Sequence, residues 1–381
     1  MSATRVAVVT HSNPSMPSNG LQFRSHQMSC AFAKRYETHV FYPAPGDSAV
    51  NRSDCGFFAC GYRSPWALPG HVGGFNNVRQ VLFHSGLGAF HNLNEALRRF
   101  KPEITVVEFP YLFRHVRRVS ASVRCRTILT EQNIEYQAHR AMNDFRWPAI
   151  YMVERNAVAK ADAVIVVSRE DAVELAETFG RPDAKIVPTG VDLGRYSRKS
   201  SVDGTHGSDP TDGVRLVLHG DFRHRPNRQA LRLLSETILP RVWLKAPDTR
   251  LIVFGQGLHK REEGNIHYLG FVPDVTEILA KCDLAVVPIL EASGVKTKIL
   301  EYLAMGIPVI TTTAANRGIG LTHKQNAFIC DDVRGEFSSV ITMLIEDRSL
   351  RAQVGTRGRQ YAETHFSLER TNDLFLEALN S

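Results

Sequence analysis

The stretch that decides the fold is Glu291-Ala-Ser-Gly294-Val-Lys296-Thr-Lys298-Ile-Leu-Glu301-Tyr-Leu-Ala-Met-Gly306-Ile-Pro308-Val309. It follows a short apolar run, Leu284-Ala285-Val286-Val287, that closes at Pro288. Gly294 lets the backbone turn closely, and the pattern predicts a helix from about Val295 to Met305, ended by Gly306. A helix entered from a strand in this way points free N–H groups and a positive dipole end beyond the sheet. Lys296 and Lys298 add mobile positive charge near that end. A diphosphate needs such surroundings, and this is not a Walker loop, because the chain holds no GxxxxGK[ST]. Glu301 lies five residues after Lys296, where a carboxylate beside a ribose can accept bonds from two hydroxyls. The plainer alternative is a surface helix with a Lys298–Glu301 i,i+3 pair, worth on the order of a few tenths of a kcal/mol.

Outward from this stretch, short apolar runs alternate with helical patterns. Residues 5–10 read as a first buried parallel strand, followed by a loop with Pro14, Pro17 and Gly20 and a helix over about 21–36. Residues 38–42 read as a second strand, stopped by Pro43 and Pro45, and the Gly-, Pro- and aromatic-rich segment 43–88 takes no element. Helices are read over 91–100 and 149–161, with strands at 104–107, 127–129 and 163–167. Ser168 then caps a helix that Gly180 ends. Residues 198–213, RKSSVDGTHGSDPTDG, carry no large apolar side chain except Val202, which is a linker composition. The alternation restarts with strands at 214–218, 251–254, 284–287 and 308–311 and helices at 228–239 and 274–280. The C-terminal residues read as helical, interrupted at Gly355 and Gly358.

The fold class is therefore α/β, with two Rossmann-like domains facing each other across a cleft. The expected bounds are a first domain over 1–190, a linker over 191–213, a second domain over 214–362 and a C-terminal helix over 363–381 able to pack back on the first. In such an arrangement a ligand faces the carboxyl ends of the strands.

The run GVKTKILEYLAMGIPVITT (294–312) resembles the carboxyl-domain signature of the GT-B nucleotide-sugar glycosyltransferases, in the large retaining family four that includes sucrose synthase and bacterial glycosyl group 1 transferases. Three further stretches are similar to the same family and follow its order. They are Ala161–Ser168 with Ile186–Asp192, then His219–Asn227, then Leu350–Ser367. The resemblance implies a hexosyltransferase-type enzyme that moves a sugar from a nucleotide-diphosphate donor, read as UDP-linked, to a hydroxyl with retention and without a metal. It implies a first domain that binds the acceptor and a second that binds the donor, with closure excluding water. Glu301 would bind the donor ribose, and Gly294 with Lys296 or Lys298 the diphosphate. Phe271 and Val272, after Gly270, would meet the base, and Gly20 would approach the diphosphate from the first domain. The chain departs from the family pattern at Ser293, where many members carry a first glutamate, so Glu291 is the nearest carboxylate. At Pro226 a lysine is usual, which leaves Arg223 or Arg225 to supply charge. At Gln132 relatives often have His, and an amide can bond a sugar hydroxyl but cannot shuttle a proton. Glu291 and Gln132 are the catalytic candidates. A nucleotide-sugar epimerase on the same fold and a non-catalytic GT-B scaffold remain the alternatives.

Composition agrees with this reading and narrows it. The 381 residues are 43% hydrophobic and 22% charged, which excludes a disordered tail, a collagen-like fibre and a disulfide scaffold. Net charge is +7, so an anionic donor or an anionic surface is favoured as partner. The basic group Arg98, Arg99, Lys101, Arg114, Arg117 and Arg118 reads as solvated surface, with a membrane patch for a lipid-linked acceptor as the alternative. No recognition module or interleaved aromatics suggest nucleic acid. The other acceptors in view are a small molecule or a glycan hydroxyl. Six cysteines without a CxxC pair read as reduced, mostly buried thiols, and the 15 histidines show no metal-ligand spacing, so neither metal nor other cofactor is expected. The amino-terminal apolar run is too short for a signal peptide, and the expected location is cytoplasmic, with peripheral contact at the inner membrane face left open.

Overall fold

The computed structural model describes residues 4–15, 17, 20–44, 50–63, 89–123, 125–197, 213–291 and 294–381. They divide into two units, 1–189 with 369–381, and 190–368.

In the first unit the apolar runs form parallel strands that alternate with helices. These are β1 (Arg5–Val9), α1 (Gly20–Ala33), β2 (Glu37–Ala44), β3 (Asn51–Arg52), β4 (Phe58–Arg63), α2 (Ala89–Phe100), β5 (Ile104–Glu108), α3 (Pro110–Val123), β6 (Arg126–Thr130), α4 (Glu135–Ala141), α5 (Trp147–Lys160), β7 (Ala163–Val166), α6 (Arg169–Phe179) and β8 (Lys185–Ile186). The strand order is β3-β4-β2-β1-β5-β6-β7-β8, antiparallel only between β3 and β4. A parallel strand buries both faces, and β1 does so in turn. Val6 and Val8 join one core with Met28 and Phe32 of α1, while Ala7 and Val9 join the other with Leu97 and Phe113. The first of these cores is completed by Phe375, Leu376 and Leu379 from α14 (Leu368–Asn380).

The second unit contains β9 (Arg215–His219), α7 (Arg225–Leu233), a π-helical turn (Leu234–Ile238), α8 (Leu239–Trp243), β10 (Arg250–Phe254), β11 (Arg261–Glu263), β12 (Ile266–Tyr268), α9 (Thr276–Ala280), β13 (Leu284–Val287), α10 (Thr297–Ala304), β14 (Val309–Thr311), α11 (Thr313–Asn316), β15 (Phe328–Ile329), α12 (Glu336–Glu346) and α13 (Arg348–Phe366). Its order, β11-β12-β10-β9-β13-β14-β15, is again parallel except at β11–β12. In both sheets the order reverses at one place, beside β1 and β5 in the first and β9 and β13 in the second. A crevice opens outside the carboxyl ends of the strands at such a switch point.

Several expectations are corrected. Pro43 does not stop β2, because pairing with β1 already ends at Val9–Phe41 and the remaining length pairs with β4 alone, where a missing N–H is tolerated. The unassigned segment contains β3 and β4, while its residues 45–49 and 64–88 lie outside the described residues. Val191 and Tyr196, placed in the linker by composition, are buried in the core of the second unit, and residues 198–212 lie outside the described residues. The helix expected over 228–239 starts three residues earlier and passes through a π-helical turn just before Pro240, whose ring cannot take the regular bond. Cys30 and Cys55 form a disulfide rather than two reduced thiols, whereas Cys60, Cys125, Cys282 and Cys330 are free and buried. Ser168 and Gly180 act as expected: the Ser168 hydroxyl accepts from the Asp171 N–H and Gly180 adopts a left-handed conformation. No helix among the described residues is long and apolar enough to cross a membrane.

Gly355 and Gly358 do not interrupt α13, which runs unbroken through both. They are the places where it touches the end of α10: a Cβ at Gly355 would stand 2.3 Å from the Gly306 carbonyl oxygen, and one at Gly358 2.9 Å from Leu303. In an open helix Gly→Ala stabilises by roughly 1 kcal/mol. Here Gly355→Ala is expected to act in the opposite direction, lowering stability by about 1–3 kcal/mol. A urea denaturation midpoint above that of the parent chain would show that α13 and α10 are not in this contact.

Candidate functional site

The shared direction of the parallel strands brings polar residues of the second unit together at the carboxyl ends of β9 and β13. His219 is the last residue of β9 and is 8% exposed. The Tyr302 hydroxyl accepts the His219 backbone N–H at 2.9 Å and lies 2.7 Å from its Nδ1. A carboxylate only accepts, so Nε2 carries the ring hydrogen of the neutral imidazole and Nδ1 takes the Tyr302 hydroxyl hydrogen. Nε2 then donates to Glu301 Oε2 at 2.7 Å. Phe254, ending β10, stacks on the imidazole at 5.0 Å, and Tyr196 also bonds the Glu301 carboxylate. Glu301 is thereby fixed by two neighbours.

The two lysines sit beside this chain. Lys298 Nζ donates to the Asn227 amide oxygen at 2.7 Å and is buried at 8% exposure. Lys296 immediately precedes α10, and its Nζ donates to the Gly294 carbonyl at 3.3 Å. Burial pushes the Lys296 ammonium down to about 8. Burial, and then repulsion from Lys296, pushes Lys298 down to about 7. Room for Lys298 comes from Gly220, just after β9, whose φ is +149° and whose Cβ would stand 2.6 Å from Nζ. The Lys298–Glu301 surface pair is therefore not formed: each side chain has a different partner.

The other expected site residues fall as follows. Gly294 has φ +64°, as a close turn requires, but α10 begins at Thr297 and not at Gly294. Arg223 is held by Asp221, at 2.9 and 2.5 Å, and by Gln256. Burial raises the Asp221 carboxyl, yet the Arg223 bonds hold it below its ordinary value. The charge of Arg223 is thus already answered. Arg225 and Glu291 form an exposed contact at 3.9 Å, and Ser293 lies outside the described residues. Phe271 is exposed and Val272 half-buried, in the turn where Gly270 accepts the Gly255 N–H at 2.8 Å.

In the first unit Gly20 is the first residue of α1 rather than part of the preceding loop. Gln132, just beyond β6, gives its amide to Glu108 at 3.0 Å and to the Leu21 carbonyl at 3.4 Å. Glu108 ends β5, is fully buried and also accepts from Ser25 at 2.5 Å. Burial raises its pKa against these bonds and against Arg24. Arg24 is itself buried, donates to the Val187 carbonyl at 2.7 Å and is pushed down by burial to about 10. Gln132 is therefore part of a buried polar network at the first unit's switch point. Sequence reasoning did not single out His219, Tyr302, Asn227, Tyr196 or Glu108. The available signal for His219 and Glu108 was a polar side chain closing a buried parallel strand.

Comparisons with known proteins bear on the family and the fold. A family model described as "Glycosyl transferases group 1" matches residues 213–347, and one described as "Glycosyltransferase Family 4" matches residues 18–195. The chain is 23% identical over 246 residues to a GDP-mannose-dependent monoacylated alpha-(1-6)-phosphatidylinositol monomannoside mannosyltransferase of Corynebacterium glutamicum, a match that covers 60% of this chain and 64% of that relative. The fold is similar to sucrose-phosphate synthase from Thermosynechococcus elongatus (TM-score 0.78, 13% identity, 98% of each chain). It is also similar to Anabaena Alr3699/HepE in complex with UDP and glucose (TM-score 0.70, 14% identity, 99% of this chain and 100% of that one).

Two lysines whose pKa values lie at about 8 and about 7 are partly neutral at neutral pH, and a diphosphate held beside them would draw protons onto them. Binding coupled to proton uptake tightens as pH falls and weakens as pH rises through this window. Calorimetric titration with UDP, over a range where its phosphates stay fully ionised, is expected to show affinity falling roughly tenfold per pH unit above about pH 8 for each proton linked. Lys298→Met should flatten that slope. An unchanged slope in this variant removes Lys298 from the anion site.

Proposed function

The chain belongs to the group 1 and family 4 glycosyltransferases, with the GT-B fold, and from that premise we propose that it moves a sugar from UDP to a hydroxyl acceptor with retention of configuration and without a metal. The second unit holds the donor. Lys296 and Lys298 meet the diphosphate, Glu301 accepts the two ribose hydroxyls, and the backbone around Phe271 and Val272 lies beside the base. The observation that carries this reading is the separation of charges at the end of β9. Glu301 is bonded by His219, while Lys298 is bonded by the neutral Asn227 amide, so carboxylate and ammonium stay available to different parts of one nucleotide. As the glycosidic bond breaks, negative charge develops on the leaving diphosphate, and ammonium groups already in place lower the barrier without reorganising.

In this mechanism the acceptor hydroxyl attacks from the face the diphosphate leaves, and a diphosphate oxygen takes the hydroxyl proton. Gln132 and Glu291 would touch the acceptor and the sugar. The first unit would bind the acceptor, a small molecule, a glycan or a lipid-linked hydroxyl. In the lipid case the exposed arginines of α2 and α3 would face anionic headgroups. The mannosyltransferase relative makes GDP-mannose the competing donor.

The purified chain is expected to release UDP from a UDP-sugar in the presence of a competent acceptor. Glu301→Ala should lower kcat/KM at least tenfold, mostly by weakening donor binding. Release of GDP and not UDP across a panel of nucleotide sugars would overturn the choice of base. Undiminished donor affinity in Glu301→Ala would overturn the role of the carboxylate. Conversion of the donor without any acceptor would favour an epimerase.

A further inference from the structure

The sulfur atoms of Cys30 and Cys55 and one nitrogen of His26 meet at the edge of the first unit's sheet. His26 and Cys30 are one turn apart on the same face of α1. Cys55 sits in the tight turn Ser53–Gly56 between β3 and β4, where Gly56 donates to the Ser53 carbonyl at 3.0 Å and Ser53 donates to the Phe57 carbonyl at 2.8 Å. The three possible ligand atoms all lie within 4.8 Å of one another, and His26 Nε2 is 3.4 Å from Cys30 Sγ. That spacing is close to the roughly 3.5 Å edge that Zn–S bonds of about 2.3 Å and Zn–N bonds of about 2.0 Å subtend in a tetrahedron.

A second observation points to a ligand at this place. His26 Nδ1 lies 2.9 Å from the Pro14 carbonyl oxygen. A carbonyl can only accept, so Nδ1 carries the proton and Nε2 presents its lone pair to the sulfurs. A ring nitrogen donating to a backbone carbonyl while the other faces outward is how protein histidines are held for a metal. Phe57 packs edge-on to the same ring at 5.8 Å and fixes its plane.

We propose that in the dithiol state Cys30, Cys55 and His26 form a three-ligand site for a zinc-like divalent cation, so that the disulfide and the metal-bound form are alternative states of one site. The interconversion balances. A dithiol reductant is oxidised to its own disulfide, the Cys30–Cys55 bond breaks, and two electrons and two protons pass to the two sulfurs. The cation then displaces both thiol protons, and the sulfurs part to roughly 3.8 Å around it. His26 supplies the nitrogen, and one tetrahedral position is left for water. The cation takes no part in sugar transfer.

Cobalt(II) is the probe, because a tetrahedral thiolate site gives it visible d–d bands and near-ultraviolet sulfur-to-metal charge transfer. The full chain is reduced with a phosphine, which leaves no competing thiol, and titrated anaerobically. The expected result is one equivalent of cobalt per chain with both sets of bands, none in the oxidised chain, and release of cobalt when zinc is added. The double variant Cys30→Ser/Cys55→Ser should lose the charge-transfer bands. His26→Ala keeps both thiols and the helix, and should weaken binding at least tenfold. No bands in the reduced chain would overturn the proposal. So would equal bands in the double variant, which would place the metal at the remaining cysteines, or unchanged affinity in His26→Ala. If circular dichroism shows the double variant misfolded, the His26→Ala titration decides.

Discussion

An ammonium group buried in an α/β unit demands an answer to its charge, and Lys298 receives only a neutral one. Its Nζ is met by the Asn227 amide oxygen, under a strand end that only glycine can occupy. Burial then lowers its pKa, because the charged form has lost water without gaining a carboxylate. Glu301 is close enough to favour the charged form, yet its oxygen is engaged by His219. Direct contact between the two would have cancelled both groups within the protein. The bond sequence from Tyr302 through His219 to Glu301 works against that, and so leaves a buried ammonium with a neutral partner beside a preset carboxylate. The strand order places this arrangement at the switch point, where β9 parts from β10 on one side and β13 on the other.

Much of the fold was legible because a parallel strand buried on both faces is a local signal. The runs 163–167 and 284–287 were read almost to the residue. Caps were equally local, as Ser168 and Gly180 illustrate. What escaped was decided at a distance. Gly355 and Gly358 look like helix breakers in sequence, yet they are contact points with Gly306 and Leu303, roughly fifty residues away in the chain. Pro43 looks like a strand end until one knows that β1 has already finished beside it. The Cys30–Cys55 bond joins residues 25 apart with no motif between them. In the site, Gly294, Lys296, Lys298 and Glu301 could be picked out because they share one short stretch. The parts played by His219, Asn227 and Tyr196 were not legible there, since they depend on the end of β9, the first turn of α7 and the segment before β9 meeting α10.

The interior of the first unit follows a different logic from the second. Among its buried carboxylates, Glu154 holds backbone, while Glu108 and Glu135 hold side chains. Glu154, on α5, accepts the N–H groups of Glu135 and Tyr136 at 2.7 and 2.9 Å and so satisfies the buried start of α4. Glu135 accepts the Tyr111 hydroxyl at 2.7 Å, which ties α4 to α3. Burial, then repulsion from Glu154 and Glu135, pushes the Glu131 carboxyl well above the ordinary carboxylate range. The same unit carries exposed Arg98, Arg99, Arg114 and Arg118, while Val116 and Val119 of α3 face inward. Its positive charge is therefore on the surface, unlike that of Lys298.

Helix α1 connects these features within the first unit. Its first residue, Gly20, stands at the carboxyl side of the sheet, and Leu21 accepts from Gln132 in the buried network. One turn on, Ser25 bonds Glu108, and the next residue, His26, holds the Pro14 carbonyl of the loop leaving β1. Cys30 follows on the same face as His26 and is tied to the β3–β4 turn. One helix is thus fastened at four points along its length, by Leu21 to Gln132, by Ser25 to Glu108, by His26 to the Pro14 carbonyl and by Cys30 to the β3–β4 turn. The first two of these ties lie where the polar interior of this unit meets the end of its sheet.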